Sequence, residues 1–221
     1  VSVERLSEIF LRLQTDGANN INLVTPTHFV PQTAAALRMA KRNGLRIPVV
    51  YNTGSYEKPE TLKLMEGLVD IYLPDLKYGS AEPGKRYSNA PDYFETAASA
   101  IAEMVRQVPE AVFEEGEEGM ALMKRGVIVR HLVLPGGSMD SRRVLRFLHE
   151  TYGNRIYISI MNQYTPMRGL EGYPELNRRV GRRAYDRLID FAIGLGIENG
   201  FIQEGGTAKE SFVPLWDGTG L

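Results

Sequence analysis

The chain has 221 residues, 26 Lys plus Arg against 27 Asp plus Glu, a net charge of −1, 43% hydrophobic residues and no cysteine. That size and apolar content suit one large α/β domain with a sizeable core, residues 1–221 forming a single unit. The balanced charge removes any bulk attraction to nucleic acid or an anionic membrane. The lack of cysteine excludes disulfides, thiolate nucleophiles and thiolate metal ligands within these residues.

No apolar run approaches the roughly 20 residues that a membrane helix needs. No charged-then-apolar leader is visible, so the expectation is a cytoplasmic protein. Val1 is not a methionine, and Ser2 to Leu13 already reads as a helix, with Val3, Leu6, Phe10 and Leu13 on one stripe and Ser2 as an N-cap. The expectation is a fragment of a longer chain.

Strand and helix patterns then alternate. Ile21 to Thr25 reads as a strand. Gln32 to Asn43 is a helix opened by Pro31 and closed by Gly44. Ile47 to Tyr51 is a strand ending in Asn52-Thr53-Gly54, Pro59 to Leu68 a helix, and Val69 to Leu73 a third strand. Tyr93 to Val108 is a long helix stopped by Pro109. Ala111 to Phe113 and Met120 to Met123 flank an acidic turn and predict a small surface hairpin. Val127 to Leu134, Ile156 to Ile160 and Gly200 to Gln203 are further strands. Helices at Ser141 to Tyr152 and Asn177 to Leu195 separate them.

This order argues for a parallel sheet wrapped by helices. A complete eightfold barrel takes roughly 250 residues, so an incomplete barrel fits better.

Parallel strands bring their carboxyl ends to one rim. That rim would carry Thr25, Thr27 and His28, Asn52 and Thr53, Asp75 and Lys77, Pro135-Gly136-Gly137, and Asn162-Gln163-Tyr164, with Arg130 deeper in its strand. The set suits a zwitterionic or polyol-bearing ligand. Lys77 and Arg130 serve carboxylate or hydroxyl oxygens, Asp75 an ammonium or a cation, and Thr and Asn sugar hydroxyls. Each piece also has a plain structural reading. Asp75 and Lys77 can be a rim ion pair, Arg130 a structural salt bridge, His28 a loop residue and Pro135-Gly136-Gly137 a tight turn. The three histidines show no metal-ligand spacing, and no phosphate-binding glycine motif is present.

Five segments carry a resemblance: residues 20–31, 50–56, Tyr72-Leu73-Pro74-Asp75-Leu76-Lys77-Tyr78, the run from Arg130 to Pro135-Gly136, and Ser159-Ile160-Met161-Asn162-Gln163-Tyr164. In this order they resemble radical S-adenosylmethionine proteins of the pyruvate formate-lyase activating enzyme type, in particular uncharacterised homologues of those enzymes. The resemblance implies an incomplete (β/α)6 TIM-like barrel missing its first strand here. It implies S-adenosylmethionine and a [4Fe-4S] cluster as cofactors. It also implies reductive cleavage to a 5′-deoxyadenosyl radical that abstracts hydrogen.

Partners implied are a glycyl radical enzyme or other protein substrate, and an electron donor of flavodoxin or ferredoxin type. Asn52, Thr53, Asp75, Lys77 and Arg130 would then lie near the methionine and ribose parts of the cofactor. Thr25, Thr27, His28 and Gln163 are further rim candidates. Thr25-Pro26-Thr27-His28 stands where relatives carry a Gly-Gly-Glu-Pro-like segment, and Gln163 and Tyr164 stand where activating enzymes often place a histidine. The cluster's Cys-x-x-x-Cys-x-x-Cys loop would precede Val1, so these residues alone are expected to be inactive. An unpaired sheet edge would favour self-association. Two other readings stay open: a barrel lyase or aldolase using the Lys77 amine, and a non-catalytic scaffold for a nucleoside or protein.

Overall fold

A computed structural model describes residues 1–116, 121–167 and 169–202. Helix α1 (Val3–Thr15) starts where the Ser2 hydroxyl accepts the Arg5 N–H at 3.2 Å. It packs on α2 (Val30–Arg42), as their apolar stripes require. Strand β1 (Ile21–Val24) lies between them in sequence. Then follow β2 (Val49–Thr53), α3 (Pro59–Lys63), β3 (Ile71–Pro74), α4 (Ala81–Ser88) and α5 (Tyr93–Gln107). The second half holds β4 (Val112–Glu115), β5 (Ala121–Leu132), α6 (Ser138–Tyr152), β6 (Tyr157–Met161), α7 (Arg182–Leu195) and β7 (Gly200–Ile202).

The sheet order is β1-β2-β3-β5-β6-β7, every neighbour parallel. Strand order follows chain order, as in a βα barrel opened along one seam. Strand β4 is the exception: it pairs antiparallel with the first part of β5, which is the expected hairpin.

Gly126 divides the two uses of β5. Its φ of +150° disfavours a side chain, and a Cβ would lie 3.0 Å from the Met123 sulfur. Before Gly126 the strand belongs to the hairpin; beyond it, to the parallel sheet.

Alternation decides what each face of the sheet meets. One face carries Ile21, Leu23, Val49, Tyr51, Val127, Val129, Ile158 and Ile160, all buried in the core. The other carries Asn22, Val24, Asn52, Arg130 and Ser159, which stay partly or fully exposed.

Two helix boundaries shift and one helix is added. Helix α4 forms in a stretch where the sequence predicts no element, despite Pro83 and Gly84. Pro83 falls in the first turn, where its missing N–H costs nothing. Gly84 lets the chain close on Ala90, whose N–H donates to the Gly84 carbonyl at 3.1 Å. Helix α3 ends at Lys63 instead of Leu68, and α7 begins at Arg182 instead of Asn177, after Gly181.

Candidate functional site

The register sets the site. Asn52 pairs with Leu73 across β2 and β3, and Asp75 sits level with Arg130, which is level with Ser159. Residues at one level of a parallel sheet share a face. Asn52, Asp75 and Arg130 therefore meet on the open face, at the carboxyl ends of three adjacent strands.

The contacts are close. Arg130 donates from Nε to Asp75 Oδ1 at 2.8 Å and from Nη2 to Asn52 Oδ1 at 2.7 Å. Lys77 Nζ hydrogen-bonds the other oxygen of Asp75. The Asp75 side chain is 15% exposed, that of Arg130 25% and that of Lys77 41%. One carboxylate thus faces two cations, and the cluster carries one surplus positive charge. Such a cluster is suited to accept an anionic group from a ligand, since arginine forks bind carboxylates well.

Tyr93 supports this cluster from α5. Its phenol lies 2.9 Å from the carbonyls of Gly54 and Asp75 and accepts the Lys77 N–H at 3.0 Å. Burial pushes its pKa up, so it stays a hydroxyl. It pins the β2 and β3 loops against each other. Nothing in the sequence singles it out, because an apolar-faced helix accepts tyrosine as core.

Behind the sheet lies a second polar group. Glu57, 4% exposed, accepts from the Tyr51 phenol at 2.7 Å and from the Thr53 hydroxyl. Burial and Glu57 raise the pKa of that phenol, and Thr27 acts on it in the opposite direction. Thr53 therefore serves this buried group and not the Asp75 cluster. Thr25 opens a 3-10 turn at φ 49° and is exposed, as is His28. Gln163 is exposed, its amide 3.1 Å from the Met161 sulfur. The structure brings together Asn52, Asp75, Lys77 and Arg130 and leaves the other five candidates outside that cluster.

Arg130 and His131, adjacent in sequence, part company. His131 turns into the core, where Nδ1 donates to the Leu76 carbonyl at 2.8 Å and Nε2 accepts from Ser141 at 2.9 Å. Burial lowers its pKa, so both bonds belong to a neutral ring. Beside it, a cavity of about 300 Å³ is lined by Lys77, Tyr78, Tyr87, Pro135 and Asp140. Lys77 borders both the cluster and this cavity.

Iron–sulfur ligation does not fit these residues. The chain has no thiolate, and the described residues hold no group of three or more His, Asp or Glu placed for a metal. No described helix is long and apolar enough to cross a membrane.

No family model matches the chain. It is 27% identical over 186 residues to an uncharacterised protein of Methanocaldococcus jannaschii, covering 82% of this chain. The match takes in 48% of that protein, so the chain spans about half the length of this curated relative. A crystal structure of a domain of pyruvate-formate lyase-activating enzyme from Bacteroides vulgatus superposes with a TM-score of 0.58. The superposition covers 84% of this chain and 98% of that domain, at 12% identity. The chain shares its fold with that activating-enzyme domain. Fold alone does not carry activity, which depends on the site.

Proposed function

We propose that the cluster of Asn52, Asp75, Lys77 and Arg130 is the S-adenosylmethionine wall of a radical S-adenosylmethionine protein of the activating-enzyme type. The observation that carries this reading is the surplus cation of the cluster, set on the open face of an activating-enzyme fold at the carboxyl ends of three adjacent strands. Open α/β sheets bind ligands at that end.

Each side chain has a role in this reading. Arg130 and Lys77 hold the ligand carboxylate through charge-assisted hydrogen bonds. Asp75 offsets the ammonium, and Asn52 faces a ribose hydroxyl. Tyr93 is a positioning residue, since it holds the backbone on which Asp75 and Lys77 stand. The parent activity of this class, hydrogen abstraction from a protein substrate with a flavodoxin- or ferredoxin-type reductant, requires thiolate ligands that these 221 residues do not contain. These residues are therefore expected to bind and not to turn over.

Equilibrium dialysis with labelled S-adenosylmethionine tests this. Binding should weaken about tenfold in Lys77→Ala, as for loss of one charge-assisted hydrogen bond. No binding, or binding indifferent to Lys77 and Arg130, overturns the reading. Borohydride trapping of a carbonyl compound on Lys77 would replace it with an amine-dependent lyase.

A further inference from the structure

A second cavity, of about 410 Å³, lies on the far side of the β5–α6 turn from the Lys77 cavity. Its walls include Val133, Leu134, Ala184 and Leu188, and Arg178 and Arg179 line it as well. This size falls within the roughly 300–1,000 Å³ typical of small-molecule sites.

The charge here is out of balance. Residues Arg178-Arg179-Val180-Gly181-Arg182-Arg183 place four guanidinium groups within six positions. Arg178, Arg179 and Arg183 are exposed and make no ion pair among the described residues. Arg182 only approaches Asp186, at 3.9 Å, while 94% exposed. The first turn of α7 contains no acid, so these cations crowd the positive end of that helix. Like charges in this arrangement repel, and a bound anion would relieve them.

We propose that this cavity binds a small organic anion, with its phosphate or carboxylate head on Arg178 and Arg179 and its apolar part against Val133, Leu134 and Leu188. Two adjacent arginines match the paired oxygens of such a head. The apolar walls argue for a small molecule over an acidic protein surface, which would satisfy the arginines and leave the cavity unfilled. The site shares no residue with the Asp75 cluster, so either proposal can fail without the other.

Calorimetric titration of the chain with hexyl phosphate, inorganic phosphate and hexanol tests it. Hexyl phosphate should bind about tenfold tighter than either fragment probe. The double variant Arg178→Gln, Arg179→Gln should lose that advantage and keep the thermal midpoint, since both positions are exposed. Ala184→Met should narrow the cavity and weaken hexyl phosphate without changing inorganic phosphate. Equal affinity of wild type and double variant for hexyl phosphate overturns the proposal. So does binding of poly-glutamate with no binding of hexyl phosphate, which would mark a docking surface for an acidic protein.

Discussion

Two donors of Arg130, Nε at 2.8 Å and Nη2 at 2.7 Å, close on one oxygen of Asp75 across the β3–β5 register. Lys77 takes the other oxygen. Removing the carboxylate would leave two partly buried cations facing each other. Asp75→Asn should cost about 1–3 kcal/mol, less than a fully buried pair because Lys77 is 41% exposed. Urea denaturation measures this, and an unchanged midpoint would show that the cluster is solvated and energetically neutral.

Tyr93→Phe isolates the role of the phenol. The ring would stay packed, but the Lys77 N–H would lose its acceptor and the carbonyls of Gly54 and Asp75 a donor. A loss of about 1–3 kcal/mol is expected from the buried polar groups left unpaired. If Tyr93 positions the cluster, S-adenosylmethionine affinity should fall as well, through the loosened backbone of Asp75 and Lys77. A stability loss with unchanged affinity would make the residue purely structural.

The architecture was largely legible from sequence because apolar runs and their Gly and Pro boundaries are local signals. The site was legible only in part. Asn52 and Thr53 both read as rim residues, yet a period of two sends one to each face, and Glu57 claims the hydroxyl. Arg130 and His131 divide in the same way. Tyr93 was hidden because its value lies in contacts with Gly54 and Lys77, 39 and 16 residues away. Helix α4 was hidden because Pro83 and Gly84 signal a loop until Ala90 is seen closing on Gly84.

His131 should make stability depend on pH. Its folded-state pKa lies below the ordinary 6.5 because burial disfavours the imidazolium. The unfolded chain therefore binds a proton first as pH falls, and stability declines from about pH 6.5 downward. The Arg106 hydrogen bonds hold Glu103 at about 2, below its ordinary 4.5, so that contribution is lost only between those values. Urea midpoints between pH 7.5 and 5.5 should thus fall through His131 and not through Glu103. In His131→Gln the protein should be weaker throughout, with a flatter slope over this range. An unchanged slope would assign the effect to another group.

Strand β1 pairs only with β2 among the described residues, and Val24 on it is 65% exposed. An edge of this kind offers unpaired backbone groups to a second chain. We expect the apparent mass by light scattering to rise with concentration and Val24→Lys to suppress the rise, because a charge on an edge strand opposes pairing. A single monomer mass across the range would mean that this edge is too short to associate.

Two glycines should respond oppositely to alanine. A Cβ at Gly84 would lie 2.5 Å from the Ala90 carbonyl oxygen, a backbone atom that cannot swing aside. Gly84→Ala must open the α4–α5 turn, and a loss of about 1–3 kcal/mol is expected from that strain. Gly194, within α7, has nothing within 4 Å of the same position. There the gain in helix propensity should dominate, at up to about 1 kcal/mol. Paired urea curves decide the matter. A stabilised Gly84→Ala would mean that the turn is free to relax, and that α4 owes its C-terminus to Asn89 in the left-handed region and not to close packing.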